Sequence, residues 1–132
     1  MKAKKFKKDA VIVKEESTGE DMYVVLSGKV SAFKTINAEQ IELGTLGPGD
    51  FFGEMSLFLS ERRSATVKAV ENCEIRILDK AEFIESMKQD PEYFLRIFTA
   101  VLKRLKHSHE VISRLKGEKD SLQLMYGSST VR

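Results

Sequence analysis

The sequence predicts a mainly β domain, an all-β barrel or roll, followed by a long C-terminal helix. Two observations carry this expectation. Residues 10–79 hold short, alternating, β-branched runs punctuated by turn residues, the spacing of an antiparallel barrel or roll. From Asp79 onward the apolar period becomes helical, and nothing breaks it between Pro91 and Gly117.

The elements follow in order. Ala10–Lys14, Met22–Ser27, Lys29–Thr35, Gln40–Leu46, Ser64–Val70 and Cys73–Leu78 read as strands. Ser17-Thr18-Gly19, Ser27-Gly28, Asn37, Gly47-Pro48-Gly49 and Glu71-Asn72 read as the turns between them. The apolar run Phe51–Leu59 follows Asp50 and reads as a helix of one or two turns, with free N–H groups at its start. Asp79-Lys80-Ala81-Glu82 is a capping box. The helix behind it is expected to bury Ala81, Phe83, Ile84 and Met87. Asp90-Pro91-Glu92 opens the last helix with a cap, a proline in the first turn and an acid at the positive end of the dipole. With a weak point at Gly117 and a continuation over Glu118–Tyr126, it spans roughly 27–35 residues, or about 40–50 Å.

The apolar stripe of that helix bears on assembly. Phe98, Val101, Leu105, Ile112, Leu115 and Leu122 follow a coiled-coil seam, with Ser108 and Lys119 in its polar slots. Leu95, Leu102 and Val111 widen the stripe near its start. A helix this long cannot bury such a seam on one small roll. A second copy is the simplest partner, and the alternative is a helix folded back wholly onto its own roll.

Composition narrows the function classes. The chain has 132 residues, enough for a single core, with 42% hydrophobic residues and a net charge of +2. The charge is uneven: Lys2, Lys4, Lys5, Lys7 and Lys8 open the chain, and Lys103, Arg104, Lys106 and Arg114 mark the last helix. These clusters read as a solvated basic surface, or else as an arm for nucleic acid or an acidic partner. Cys73 is the only cysteine, so no internal disulfide forms and a reducing, cytoplasmic setting is expected. It reads as a half-buried structural thiol. No apolar stretch approaches a membrane span, and no secretion signal follows the basic start. His107, His109 and Glu110 do not share a helix face, so no metal site is expected. No Ser/His/acid or Cys/His arrangement supports a hydrolase.

Residues 49–69, GDFFGEMSLFLSERRSATVKA, carry the functional chemistry. A carboxylate, Glu54, and a guanidinium, Arg63, flank small residues that let a ligand approach the backbone. Arg offers a planar fork for a phosphate. An ionised Glu only accepts hydrogen bonds, which suits a ribose hydroxyl. Gly53 has no Cβ, so its N–H can sit close to an anion. A ribose bearing a phosphate needs all three.

This segment resembles the phosphate-binding cassette of the cyclic-nucleotide-binding domain family. Phe52-Gly53-Glu54-Met55-Ser56-Leu57 matches the family's F-G-E-[LIM]-[AS]-L, and Arg63-Ser64-Ala65-Thr66 its R-[AST]-A-T. Upstream, Met22-Tyr23-Val24-Val25-Leu26-Ser27-Gly28-Lys29-Val30 resembles M-Y-x-[IV]-x-x-G-x-[VA]. Glu16 departs from the pattern, because it stands where the family commonly has Gly in its first tight turn. The resemblance covers roughly residues 6–90. It implies a jelly-roll or cupin-like β-roll over 1–90, a lid and dimerisation helix over 91–126, and a tail over 127–132. It implies cyclic AMP, or else cyclic GMP, as ligand. It selects Arg63 over Arg62 for the cyclic phosphate, with the Ser64 and Ala65 N–H groups beside it. It gives Glu54 the ribose 2′-hydroxyl, places Gly53, Met55 and Ser56 in the same site, and puts Ser108 or its neighbour His109 against the base.

The expected function is a homodimeric cyclic-nucleotide sensor module, not an enzyme. In the catabolite-activator branch of the family a helix-turn-helix domain follows the long helix. Leu122–Arg132 are too short for one, so DNA binding is not expected. Two other readings are a ligand-free dimerisation or scaffold module with a degenerate pocket, and a basic nucleic-acid-binding protein.

Overall fold

The computed structural model of the protein describes residues 2–116, except for the side chains of His109 and residues 111–116. The strands are β1 Lys2–Phe6, β2 Val11–Val13, β3 Met22–Ser27, β4 Val30–Ile36, β5 Glu39–Leu46, β6 Phe51–Phe52, β7 Thr66–Ala69 and β8 Cys73–Leu78. The helices are α1 Glu54–Leu59, between β6 and β7, then α2 Lys80–Gln89 and α3 Pro91–Lys116. The strands form two four-stranded antiparallel sheets, in the orders β1-β8-β3-β6 and β2-β7-β4-β5. The chain divides into two compact units, the first ending at Gln89 and the second beginning at Asp90.

Alternation builds the roll. Val67 and Ala69 are buried while the alternate residues Thr66 and Lys68 are not, so one face of β7 looks inward. Val30 lies opposite Ala69, and Val25 opposite Ile75. Together with Val13, Phe52, Val67 and Cys73 they form the core between the sheets. β3 and β8 are buried on their other face too. Met22 and Leu78 face each other in register and are fully buried. On this outer side α1 packs on β3 and α2 on β8. These helices bury Leu57 and Phe83, and Phe83 meets Phe58 edge to face. Each such side chain stabilises the roll by about 1.5–3 kcal/mol.

Several local expectations change. Residues 2–6 form a strand paired with β8. Its alternation is hidden by lysine, but Phe6 packs on the core, and exposed lysines suit an edge strand that must not pair further. The run Phe51–Leu59 is not one helix. Phe51 and Phe52 pair with Val24 and Tyr23, and α1 begins only at Glu54, behind Gly53 at a φ of 84°. Asp50 caps the preceding turn instead, accepting from the Gly47 N–H at 2.9 Å. In α2 only Phe83 is buried, and Ala81 and Ile84 are exposed. Cys73 is buried rather than half-buried. Burial first, and the Glu71 carboxylate second, push its thiol above the usual range, which keeps it un-ionised and unreactive.

The caps are where the sequence puts them. Glu82 N–H donates to Asp79 Oδ1 at 2.8 Å and Asp79 N–H to Glu82 Oε1 at 3.2 Å. Asp90 Oδ1 accepts from the Tyr93 N–H at 3.3 Å. The 26 residues of α3 make a helix of about 39 Å. Phe98, Val101 and Leu105 of the expected seam are exposed, as are Leu95 and Leu102. The side chains of Ile112 and Leu115, and all of Lys119, Leu122 and the stretch Glu118–Tyr126, lie outside the described residues. Among the described residues no helix is long and apolar enough to cross a membrane.

Candidate functional site

The β6–α1 turn and the loop into β7 bring Gly53 and Arg63 together. Arg63 is buried at 5% exposure, whereas Arg62 is exposed. Its Nη1 donates to the Asp21 carbonyl at 2.7 Å and to the Gly53 carbonyl at 3.4 Å. The guanidinium lies over the Tyr23 ring, 5.4 Å from its centroid, and Tyr23 stacks on Phe52 at 4.9 Å. Burial raises the Tyr23 phenol above its usual range, the Arg63 charge opposes this, and Asp21 adds to it. Arg63 is therefore packed on an aromatic platform, with its planar fork fixed.

Two glycines wall this guanidinium. A Cβ on Gly53 would lie 2.9 Å from Arg63 Nη1 and 3.1 Å from the Asp21 carbonyl, at a φ that favours glycine. A Cβ on Gly19 would lie 2.5 Å from Arg63 Nη2. The backbone of Arg63 is clamped as well. Its N–H donates to the Ser17 carbonyl at 2.9 Å, and its carbonyl accepts from the Glu16 N–H at 2.8 Å. Glu16 holds a φ of 70°, which explains why glycine is common at that turn in the resembling family: Glu16 accepts a left-handed conformation to keep the clamp.

No ion pair joins Arg63 to a carboxylate among the described residues. A buried guanidinium satisfied only by carbonyl oxygens keeps an uncompensated positive charge, and an anion is its natural complement.

The other sequence candidates divide by position. Glu54 opens α1 and is half-buried, one residue after Gly53. Met55 is 46% exposed, while Ser56 is buried with its carbonyl accepting from the Ser60 N–H. Ser64 is exposed and Ala65 half-buried, directly after Arg63. Ser108 lies in the second unit, exposed on α3, where its hydroxyl donates to the Arg104 carbonyl at 3.2 Å. His109 lies outside the described side chains. Among the described residues no group of three His, Cys, Asp or Glu side chains is placed to hold a metal. A cleft of about 320 Å³ between Glu20, Asp21, Leu57, Ser60 and Asp79 contains none of the candidate residues.

Sequence reasoning missed Gly19, Asp21 and the platform role of Tyr23. Asp21 acts through its carbonyl, which its side-chain type does not advertise. Gly19 is marked in the sequence only as a turn residue, and its proximity to Arg63 arises from long-range pairing.

Comparison with known proteins gives the geometry a context. The cyclic nucleotide-binding domain family matches residues 3–90. The cyclic AMP receptor protein of Thermus thermophilus is 31% identical over 109 residues, covering 82% of this chain and 50% of that one. The chain spans about half the length of the curated relatives it matches, 50% and 54% in two cases. The crystal structure of the Thermus thermophilus catabolite activator protein superposes with a TM-score of 0.79 at 29% identity, covering 86% of this chain and 54% of that one. The EAL enzyme Bd1971 is similar in its cAMP-bound form, with a TM-score of 0.61 and 28% identity over 96% of this chain and 34% of that one. Its cGMP-bound form gives 0.61 and 32% over 79% and 28%. With a matching β-roll and a cassette whose glycine and arginine meet in space, the chain belongs to the cyclic nucleotide-binding domain family.

Proposed function

We propose that this chain is a cyclic-AMP-sensing regulatory module that acts by binding and does no chemistry of its own. The carrying observation is Arg63: buried, clamped at both backbone ends, lying over the Tyr23 ring and, among the described residues, without a carboxylate partner. In this reading the cyclic phosphate takes the outer edge of its fork and the Ser64 and Ala65 N–H groups. Gly53, Met55 and Ser56 contribute backbone, and Glu54 accepts the ribose 2′-hydroxyl. Ser108 is the candidate for the base. Its hydroxyl rests on its own helix and is free to turn toward a better partner.

The Glu54 assignment is tested by ligand chemistry. 2′-Deoxy cyclic AMP is expected to bind about 1–3 kcal/mol more weakly than cyclic AMP, because it lacks the hydroxyl that donates to Glu54. Equal affinities by calorimetry would remove Glu54 from the site. The preference for cyclic AMP over cyclic GMP draws support from the relatives named for cyclic AMP, although one structural relative carries either nucleotide. Competition between the two nucleotides decides it, and tighter cyclic GMP binding would reverse the preference.

The exposed face of α3 supports a second copy of the chain as partner. Phe98, Val101 and Leu105 are 50%, 36% and 52% exposed at heptad spacing, an apolar stripe that a lone helix leaves in water. Leu105→Glu is expected to halve the mass seen by light scattering. A mutant of unchanged mass, or a wild-type monomer at tens of micromolar, would contradict the dimer.

A further inference from the structure

Two consecutive peptide groups follow Arg63, and both have their carbonyl ends held. The Arg63 carbonyl, whose peptide carries the Ser64 N–H, accepts from the Glu16 N–H at 2.8 Å. The Ser64 carbonyl, whose peptide carries the Ala65 N–H, accepts from Lys34 Nζ at 3.0 Å. Outside the strand ladders, neither the Ser64 nor the Ala65 N–H meets an acceptor among the described residues. A peptide with a donor at its carbonyl is polarised, and its N–H becomes a stronger donor in turn. A cation at the carbonyl does this more strongly than a neutral group.

Lys34 is held in place to do so. It lies on β4 opposite Ile41, and its ammonium is 3.4 Å from Glu15 Oε2. Glu15 is itself fixed: its other carboxylate oxygen accepts from the Thr35 N–H at 2.9 Å, and its N–H donates to Thr66 Oγ1 at 2.9 Å. The Glu15 carboxyl is the less exposed partner, at 15% against 40% for Lys34. An ion pair this open adds little stability by itself. Its geometry instead ties the β2 loop, β4 and the end of the cassette to one carbonyl oxygen.

We infer that Lys34 is a positioning and polarising residue for the anion site, strengthening the Ala65 N–H as a phosphate donor by resting on the carbonyl of the same peptide, with Glu15 as its anchor. The inference rests on the cyclic-nucleotide reading above. It assigns a function to a side chain that lies outside the cassette and that no motif marks. Its ammonium, largely offset by Glu15, also carries charge close to the Ser64 carbonyl, so part of its effect can be plain Coulomb attraction. The two contributions separate by salt dependence, because an exposed Coulomb term is screened and a polarised peptide is not.

The test compares wild type, Lys34→Met and Lys34→Arg by calorimetry with cyclic AMP, with the Ala65 amide followed by NMR. Lys34→Met is expected to weaken binding about three- to tenfold. The loss persists at 0.5 M salt, about a 4 Å screening length, and the ligand-induced shift of the Ala65 amide proton shrinks. Lys34→Arg, which keeps a cationic donor, is expected to restore most of both. Should Lys34→Met fail to fold, Lys34→Gln, a neutral donor, gives the same comparison with a smaller loss. Affinity within twofold of wild type and an unchanged Ala65 shift would overturn the inference while leaving the nucleotide reading intact. A loss that disappears at high salt would reduce Lys34 to a distant charge and overturn it as well. A wild-type chain that binds no cyclic nucleotide would overturn both readings.

Discussion

Arg63→Ala is expected to weaken cyclic AMP binding by about 2–5 kcal/mol, or roughly thirtyfold to several thousandfold. The side chain is 5% exposed and fixed by the Asp21 carbonyl, the Tyr23 ring and the wall of Gly53. Its removal strands the phosphate of a bound nucleotide in a partly desolvated place without its fork. Arg62→Ala is the matched control, because that neighbour is exposed and its loss leaves affinity almost unchanged. Arg63→Lys is expected to recover only part of the affinity, since an ammonium cannot offer two parallel N–H groups. Calorimetry on the three variants checks this ordering. Wild-type affinity in Arg63→Ala together with a loss in Arg62→Ala would reverse the assignment.

The largest effect on stability is expected at Gly28. It sits in the β3–β4 turn at a φ of 86°, pressed on the β7–β8 turn. A Cβ there would come within 2.5 Å of both the Asn72 carbonyl oxygen and Cys73 Cβ, and within 2.7 Å of Cys73 Cα. These are backbone and core atoms, so they cannot step aside as a surface side chain would. Left-handed strain and the forced shift together cost Gly28→Ala about 3–5 kcal/mol, or about 10–20 °C in Tm. Gly47→Ala is the control, since a Cβ at Gly47 meets nothing within 4 Å. A Gly28→Ala melt within a few degrees of wild type would refute this packing.

The roll was legible in the sequence where side chains alternate in type. β3 and β8 fall on the residues expected, because their runs begin and end at turn residues. β1 was not legible, because lysines on an edge strand conceal its alternation and only Phe6 packs inward. α1 was read too long because Phe51 and Phe52 are apolar in either state. Their pairing with Val24 and Tyr23 is a long-range fact. In α2 the period predicted more buried positions than one surface helix fills, and Phe83 alone is buried.

The candidate site was legible in its motif and illegible in its supports. Gly53, Glu54 and Arg63 are marked by residue type and spacing. Their supports act mainly through backbone: the Asp21 carbonyl, the Ser17 carbonyl and the Glu16 N–H. A carbonyl or amide looks the same at every position of a sequence, so only the fold shows which ones converge on Arg63. Lys34 and Glu15 illustrate the same limit for side chains. They are 19 residues apart in number and meet only because the fold brings Glu15, just past β2, to the Lys34–Thr35 stretch of β4.

A ribose and a cyclic phosphate are proposed to bind this roll at Arg63. Titration calorimetry of the chain with cyclic AMP, cyclic GMP and adenosine tests it most directly. Saturable binding of cyclic AMP at one site per chain is expected, with weaker cyclic GMP binding and no measurable binding of adenosine, which lacks the phosphate. Absence of heat with both cyclic nucleotides, or adenosine binding as tightly as cyclic AMP, would contradict it.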